Sequence, residues 1–246
     1  MAKRLEKEFQ YYLDNQKELV KRYNGKFIVI KNSQVLGAFD TELEAIKETT
    51  KKHALGTFLV QKCEAGKEGY TQQYHSRAVF GSRSLMPKTP SYAFTKRYPT
   101  RVNTLTTAIT VSIGFDPQTT KQFPPPKQFV AIWDTGATNS VITKKVVRAC
   151  ELKPIGMTQV HHAGGVSNRE VFLINIGLPS RRGFAHVRVT AGDMVGDADV
   201  LIGMDIIGEG DFAVTHKDGK TTFSFRVPSM KTIDFRRKKS PFRKIL

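Results

Sequence analysis

The spacing of apolar and polar residues predicts a small α+β module in residues 1–65. Apolar side chains recur at helical intervals in two stretches of this segment, and short apolar runs bounded by turn residues lie between and after them. The predicted elements, in chain order, are a helix from about Leu5 that ends at Asn24-Gly25, strands at 26–31 and 34–39 joined at Asn32-Ser33, a helix capped by Asp40 or Thr41, and a strand at 56–61.

Strand periodicity dominates residues 103–228 and predicts a mainly β domain there. Residues 105–113 alternate between apolar and polar, whereas residues 129–133 form the continuous apolar run of a buried strand. Further predicted strands lie at 140–142, at 158–163 and 166–172 on either side of Gly164-Gly165, at 198–202, and at 211–215 and 221–227. The stretch from Thr143 to Leu152 is predicted as a short helix or a pair of strands.

Two segments lack this periodicity and are assigned as connections. Residues 66–102 mix glycine, serine, proline and basic residues with scattered aromatics, which favours an extended linker. Residues 229–246 carry the run Arg236-Arg237-Lys238-Lys239 and are predicted to form a basic tail. The predicted organisation is therefore module, linker, β domain and tail.

The net charge of +17 over 246 residues changes the partners that the chain is expected to meet. Such an excess of cations attracts nucleic acid and other polyanions, and the linker and the tail carry many of these cations. The sequence lacks a run of roughly 18 apolar residues, as a membrane span requires, and its charged first residues do not resemble a secretory signal. The expectation is a cytoplasmic protein without a membrane span, in which Cys63 and Cys150 are reduced thiols.

The stretch with the clearest chemistry is Asp134-Thr135-Gly136-Ala137-Thr138, which lies between two predicted strands. The preceding strand delivers Asp134, and Gly136 permits the tight turn that exposes its carboxylate. Hydrolysis by carboxylates that activate water requires two of them sharing one proton. Because this string occurs once in the chain, the second carboxylate is expected from a second copy, which predicts a homodimer.

Two later segments follow the Asp134 turn in an order that suits a peptide-binding cleft. A hairpin with Gly164-Gly165 at its tip could bend over an extended peptide and exclude water from it. The run Leu201-Ile202-Gly203 ends a buried strand at a glycine, which permits close packing beneath the Asp134 turn. Each of these features is common by itself. The interpretation as a peptide-binding cleft therefore depends on their order after the Asp134 turn.

Together, Ile132 to Thr138, the Gly164-Gly165 hairpin and Val200 to Asp205 resemble the retropepsin-type aspartic proteases, single-lobe dimeric relatives of pepsin. The resemblance covers about residues 103–228 and implies an acid-protease barrel with one lobe in each chain. The implied roles are catalysis for Asp134; support of the active-site turn for Thr135, Gly136, Ala137 and Thr138; the flap for Ala163, Gly164, Gly165 and Val166; and packing beneath the turn for Leu201, Ile202 and Gly203.

Three positions depart from the retroviral pattern. Retroviral members typically carry an acidic residue where Thr138 stands and an arginine where Met204 stands, and those two side chains form an ion pair. The loss of both together leaves no charge unpaired and is often found in cellular or bacterial relatives. Trp133 is bulkier than the usual aliphatic residue, so different packing is expected behind the turn.

The N-terminal module resembles a short uncharacterised module of prokaryotic proteins. The resemblance rests on Tyr23 to Ile30, which read Tyr-Asn-Gly-Lys-Phe-Ile-Val-Ile, and on Phe39-Asp40-Thr41 at the start of the second helix. No activity comes with it, and a recruitment or packing role is expected.

The expected function is that of an aspartic endopeptidase, in which water activated between the Asp134 carboxylates of two subunits hydrolyses a peptide bond. Neither a metal nor an organic cofactor is expected. His161-His162 is a weak metal candidate, because adjacent residues of a strand point to opposite faces and no acidic partner has suitable spacing. The acids Asp199, Asp205 and Asp211 are interpreted as turn, cap or structural residues.

Two other functions stay open on the sequence alone. A nucleic-acid-binding protein could use the acid-protease fold as a dimeric scaffold, because residues 92–101 and 235–244 interleave aromatic and basic side chains. A peptide-binding protein without catalysis would need the same cleft. The first would give a salt-sensitive shift with RNA or single-stranded DNA, and the second would capture peptide without releasing product.

Overall fold

The computed structural model describes residues 5–67, 70–71, 92–162, 165–194 and 196–234. Its first part contains two helices and a sheet in the order β2-β1-β3. The elements are α1 Glu6–Tyr23, β1 Phe27–Lys31, β2 Gln34–Phe39, α2 Glu42–Thr50 and β3 Leu59–Lys62. The small α+β module predicted for this segment is therefore confirmed.

α1 is an amphipathic helix that covers one face of the small sheet. Phe9, Tyr12 and Leu19 are buried on one side of it. Acidic residues such as Glu6 lie in its first turn and basic residues such as Lys21 in its last, which suits the helix dipole. Among the helices of the described residues, α1 included, none combines the length and apolar character needed to cross a membrane.

Local chemistry explains two boundaries in this module. Asn32 and Ser33 take left-handed backbone conformations, with φ of 51° and 59°, as the two-residue turn between β1 and β2 requires. The Thr41 hydroxyl accepts a hydrogen bond from the Glu44 N–H at 3.1 Å and thereby caps α2. Of the two predicted caps, Thr41 is the one that the helix uses.

The second part is built almost entirely of strands, which confirms the predicted mainly β class. Its elements are β4 Tyr92–Arg97, β5 Leu105–Ile113, β6 Lys127–Trp133, β7 Val141–Ile142, α3 Lys144–Ala149, β8 Gly156–His162, β9 Gly165–Gly177, β10 Gly183–Ala191, β11 Val200–Ile202, α4 Met204–Ile207, β12 Asp211–Lys217 and β13 Lys220–Val227. The segment from Thr143 to Leu152, which was predicted as a short helix or a pair of strands, contains the short helix α3.

Six strands close into a barrel. They follow the order β10-β7-β11-β6-β5-β9, and a pairing of β9 with β10 joins the two ends. β11 is parallel to β6 and antiparallel to β7, so it lies between the two strands that flank the Asp134 turn. β8 extends from this ring as a hairpin with the first half of β9. The main core cluster includes aliphatic residues of these strands, among them Val111, Ala131, Ile142 and Val187.

A second sheet, in the order β12-β13-β4, packs aromatic side chains against the barrel. Phe94, Phe212, Phe223 and Phe225 surround Trp133 of β6, with ring centroids 4.9–6.2 Å from the Trp133 ring. Aromatic side chains bury large areas, so this cluster fixes the second sheet to the strand that leads to Asp134.

β4 corrects the predicted linker. Tyr92–Arg97 were assigned to the extended segment 66–102, but they pair with β13, from Tyr92 opposite Val227 to Arg97 opposite Thr222. The alternation of this strand was missed because its inward side chains include a lysine and its outward ones small or basic residues. Residues 72–91 of the linker and 235–246 of the tail lie outside the described residues, and the other segment limits stay predictions.

β10 was not predicted from the sequence. Phe184, Val187 and Val189 of this strand are buried, but a bulge between Phe184 and Val187 shifts the register against β9. His186 in that bulge takes a positive φ of 54°. The bulge interrupts the strict alternation on which a strand prediction depends.

The module packs against the base of the β8–β9 hairpin. The Val60 N–H of β3 donates to the Ile155 carbonyl at 2.8 Å. Met157 of β8 is fully buried in the core cluster of the module, among residues of α1, β1 and β3. Glu42 of α2 and Arg188 of β10 add a partly buried ion pair. The two parts of the chain therefore share one core cluster.

We predict that Met157→Ala lowers the free energy of unfolding of the whole chain by about 2–5 kcal/mol, because it leaves a cavity between the two parts. Met230→Ala is the matched control, since Met230 is 53% exposed and its truncation should cost less than about 0.5 kcal/mol. Urea unfolding followed by circular dichroism measures both variants. Equal midpoints would contradict the shared core.

Candidate active site

Asp134 lies at the end of β6, where the chain leaves the barrel in a tight turn. Its N–H donates to the Ile202 carbonyl at 3.0 Å and so continues the pairing of β6 with β11. Its side chain is partly exposed, whereas Trp133 directly before it is buried. The strand therefore fixes the main chain of Asp134 and leaves the carboxylate at the surface.

The turn orients this carboxylate through its own main chain. The Gly136 N–H donates to Asp134 Oδ1 at 2.8 Å, and the Ala137 N–H donates to the Asp134 carbonyl at 3.3 Å. A Cβ at Gly136 would lie 3.2 Å from the same Oδ1, so a side chain there would crowd the oxygen. Thr135 is exposed, and its hydroxyl makes no hydrogen bond within the described part of the chain. A partner outside the single chain can therefore bond to it.

β11 and the glycine after it lie directly beneath the turn. Leu201 and Ile202 belong to β11, where Ile202 is fully buried and Leu201 half-buried. A Cβ at Gly203 would lie 2.7 Å from the carbonyl carbon of Asn139 and 2.9 Å from the carbonyl oxygen of Ala137. Both are main-chain atoms that cannot move without displacing the turn, so this position requires glycine.

Main-chain hydrogen bonds connect α4 to the turn beside Thr138 and Met204, the two positions that lack the charged side chains of the retroviral pattern. The Met204 N–H donates to the Ala137 carbonyl at 2.8 Å, and the Asp205 N–H donates to the Thr138 carbonyl at 3.2 Å. These bonds do not depend on the side chains at 138 and 204. The loss of both charged side chains is therefore compatible with a turn that is held in place.

Ser140 and Asp205 form a buried link that the sequence analysis did not assign to the site. Ser140 is fully buried, and its hydroxyl donates to Asp205 Oδ1 at 2.7 Å and accepts from the Gly203 N–H at 3.2 Å. The link joins the strand that leaves the turn to the helix beneath it. The sequence signal for this link was the serine directly before the apolar pair Val141-Ile142, because a buried hydroxyl needs hydrogen-bond partners.

The bulk of Trp133 is accommodated by the second sheet behind the turn. Its indole N–H donates to Thr107 Oγ1 at 2.8 Å, and Thr107 is itself buried. Its ring fills the space between the barrel and the aromatic residues of β4, β12 and β13. The different packing expected for this position is therefore an aromatic cluster with one satisfied polar bond.

The predicted flap corresponds to the β8–β9 hairpin, of which Ala163 and Gly164 lie outside the described residues. Every residue of β8 pairs with β9, and His162 opposite Gly165 is the pair nearest the tip. Gly165 takes a φ of 115°, and Val166 is 54% exposed. The hairpin itself is present, with an exposed apolar side chain near its tip, and its role as a flap stays a prediction.

Asp199 and Asp211 hold structural bonds away from the turn. Asp199 is buried and forms an ion pair with Lys145 at 2.9 Å. Asp211 accepts hydrogen bonds from the Ser229 hydroxyl at 2.6 Å, from the Met230 N–H at 3.0 Å and from Arg226, and these bonds hold the pKa of its carboxyl well below the usual range. A carboxylate so strongly stabilised in its ionised form is unsuited to sharing a proton.

Phe94 and Lys96 of β4 and the nearby Tyr98 make contacts within the fold. Phe94 packs in the aromatic cluster. The Lys96 ammonium donates to the Thr106 carbonyl at 2.9 Å, and the Tyr98 hydroxyl donates to the same carbonyl at 2.8 Å. These contacts remove three of the side chains proposed for a nucleic-acid surface. The other proposed segment, 235–244, lies outside the described residues.

The part of the chain that the structure describes holds no group of three or more histidine, cysteine or acidic residues arranged for a metal. The side chains of the one metal candidate, His161-His162, lie outside that part. Cys63 and Cys150 are free thiols, as predicted. Burial, with a smaller effect of the Glu64 carboxylate, raises the pKa of the Cys63 thiol to about 11, so it stays protonated and unreactive near neutral pH.

Several solved structures that are similar to this chain are retropepsin-like aspartic proteases. One from Rickettsia conorii is 13% identical over 58% of this chain and 98% of its own, with a TM-score of 0.36. The EIAV protease complexed with the inhibitor HBY-793 is 18% identical over 43% of this chain and 86% of its own, with a TM-score of 0.31. The retroviral protease-like domain of Ddi1 from Leishmania major is 19% identical over 50% of this chain and 95% of its own, with a TM-score of 0.28.

Neither a family model nor a curated protein matches the sequence. At these identities and TM-scores, the solved structures support no conclusion about the activity of this chain. Any chemistry at Asp134 has to be inferred from the contacts of this chain.

We predict that Gly203→Ala lowers the free energy of unfolding by about 3 kcal/mol or more, because main-chain atoms of the turn must move away from the added methyl group. Gly219→Ala is the matched control. It has a φ of 69° but nothing within 4 Å of an added Cβ, so its expected cost is about 1–2 kcal/mol. Chemical denaturation measures both variants, and a smaller loss for Gly203→Ala than for Gly219→Ala would contradict the close packing.

Proposed function

We propose that this protein is an aspartic endopeptidase that acts as a homodimer. The observation that carries the proposal is the Asp134 turn, in which Gly136 orients a partly exposed carboxylate and Gly203 packs beneath it. A carboxylate held in this way suits acid–base chemistry, because its geometry is set before a substrate binds.

In this proposal a second copy of the chain supplies the second carboxylate. Each chain has one Asp-Thr-Gly string, and the exposed Thr135 hydroxyl can bond across a two-fold axis. In a symmetric dimer the same surface of both copies forms the contact, so the two turns would meet each other. Two Asp134 carboxylates brought together share one proton, because both cannot be ionised at close separation.

In the proposed reaction the ionised carboxylate takes a proton from a water held between the two Asp134 side chains. That water oxygen bonds to the peptide carbonyl carbon, while the protonated carboxyl gives its proton to the carbonyl oxygen. The C–N bond then breaks as a carboxyl returns a proton to the leaving nitrogen, and the products are an acid and an amine. These steps use two carboxylates and a water.

The proposed substrate is an extended segment of a peptide or protein. The β8–β9 hairpin offers a strand edge to which such a segment could add, and Val166 offers an exposed apolar contact near the tip. The proposed role of Ala163, Gly164, Gly165 and Val166 is to cover the bound segment and exclude water from it.

The cytoplasmic location and the polyanion partner stay predictions from the sequence. The net charge of +17 supports a polyanion partner. The contacts of Phe94, Lys96 and Tyr98 within the fold leave the basic tail, which lies mostly outside the described residues, as the main candidate for that surface.

We predict that Asp134→Asn reduces kcat/KM for peptide hydrolysis by about 10²–10⁴-fold or more and leaves the dimer intact, because the amide keeps the shape of the side chain but cannot exchange a proton. Asp218→Asn is the matched control, since Asp218 lies in the exposed turn between β12 and β13 with a φ of 53°, which asparagine tolerates. Mass spectrometry of a peptide-library digestion measures cleavage, and sedimentation measures the dimer.

The same digestion separates the competing functions. Cleavage by Asp134→Asn at the wild-type rate would contradict the proposal. Capture of peptides without product by the wild type would indicate a peptide-binding protein. Activity per chain should also fall on dilution, because a dissociated subunit holds one carboxylate.

A further inference from the structure

One edge of β8 faces away from β9, because β8 is the last strand of its sheet within the described part of the chain. Extended peptides bind many proteins by adding a strand to such an edge, where main-chain N–H and C=O groups point outward at alternate residues. The outer edge of β8 is therefore one surface of this hairpin that an extended substrate could use.

Tyr70 and Thr71 occupy the middle of this edge. The Gln159 N–H donates to the Tyr70 carbonyl at 2.9 Å, and the Thr158 hydroxyl donates to the same oxygen at 2.8 Å. Thr71 forms a parallel bridge with Gln159. The main-chain groups of alternate strand residues point to the same edge. After Gln159, the next residue toward the tip whose main-chain groups point to this edge is therefore His161.

Tyr70 is held by the N-terminal module, and Thr71 is held by Lys67 just beyond it. The Tyr70 ring lies edge-on to the rings of Phe9 and Tyr12, with its centroid 6.2 Å from each. The Thr71 N–H and hydroxyl both donate to the Lys67 carbonyl, at 2.8 and 2.7 Å. The module therefore fixes the position of the edge contact.

The same module covers the base of β8, below Gln159. Met157 is buried in the module core, and Gly156 lies so close to the module that a Cβ there would be 2.9 Å from the Val60 carbonyl oxygen. Within the described part of β8, the residues between Gln159 and the tip are therefore the ones that can pair with an added strand.

We propose that the Tyr70–Thr71 contact limits the length of the peptide that the protease engages, so that the N-terminal module sets part of its specificity. This inference rests on the proposed function and adds a bound on substrate length. A strand rises about 3.3 Å per residue, so a peptide paired at His161 meets the contact about two residues farther along. In a symmetric dimer, both ends of the peptide meet one such contact.

The test measures how kcat/KM depends on peptide length in the full chain. A peptide that the wild type cleaves in the library digestion is extended by two or four alanines at either end. The enzymes compared are the wild type, Tyr70→Ala and Tyr23→Ala. Tyr23 is the matched control, because it is a partly buried tyrosine packed against the same core cluster and lies outside the edge contact.

In the wild type, four added alanines are expected to change kcat/KM by less than about twofold, because Tyr70 and Thr71 occupy the part of the β8 edge to which the added residues would pair. In Tyr70→Ala, the same extension is expected to raise kcat/KM about fivefold, the equivalent of one net hydrogen bond. Tyr23→Ala should keep the wild-type length dependence. Equal length dependence in all three would overturn the proposal.

Thr158 provides a milder pair of variants in case Tyr70→Ala does not fold. Thr158→Val removes the hydroxyl that donates to the Tyr70 carbonyl, whereas Thr158→Ser retains it. Thr158→Val is expected to raise the effect of the extension on kcat/KM about twofold over that in the wild type, since the Tyr70 carbonyl loses one of its two hydrogen bonds. Thr158→Ser should match the wild type, and the same response from both variants would count against the contact.

Hydrogen exchange separates this inference from the proposed function. In the Asp134→Asn chain without peptide, the Gln159 amide is expected to exchange at least about tenfold more slowly than in the same chain carrying Tyr70→Ala. Rapid exchange at Gln159 in the Asp134→Asn chain would overturn the contact. Slow exchange together with no cleavage of any peptide by the wild type would support the contact and contradict the proposed function.

Discussion

The main-chain contact between Gly203 and the Asp134 turn is the constraint on which the candidate site depends. β11 can lie between β6 and β7 only if the chain that follows it passes directly beneath the turn, and a side chain at 203 would prevent this. The contact brings the N–H groups that begin α4 to the turn carbonyls. Packing of backbone against backbone, rather than a charged pair, thus sets the position of the Asp134 carboxylate.

Two further contacts fix elements around the proposed cleft. Behind the turn, the aromatic cluster around Trp133 fixes β6 to the second sheet. At the hairpin, the buried Met157 fixes the base of β8 to the N-terminal module. The module is therefore part of the structure around the proposed cleft, since it shares a core with a strand of the hairpin and contacts its outer edge.

The sequence predicted the elements whose signals are local. The Asp134 turn, the Asn32-Ser33 turn and the hairpin around Gly164-Gly165 each combine a characteristic residue with flanking apolar runs, and the structure contains strands or turns at all three. The predicted helix cap at Thr41 follows the same logic. Signals of this kind need only a few consecutive residues.

Features that depend on distant residues could not be predicted in this way. β4 is stabilised by β13, so that Thr95 bonds to Ser224 across 129 positions. The Ser140–Asp205 link and the contact of Tyr70 with Gln159 likewise join residues far apart in the chain. β10 was not predicted for a different reason: its bulge breaks the alternation of apolar and polar residues that marks a strand.

The central claim is that two copies of Asp134 make one active centre, and subunit mixing tests it most directly. Wild-type protein is equilibrated with a ninefold excess of Asp134→Asn chains, with subunit exchange verified by mass, and peptide cleavage per wild-type chain is measured. Random pairing leaves about a tenth of wild-type chains with a wild-type partner, so activity should fall to about a tenth. Activity that stays at its original level in the exchanged mixture would contradict the account.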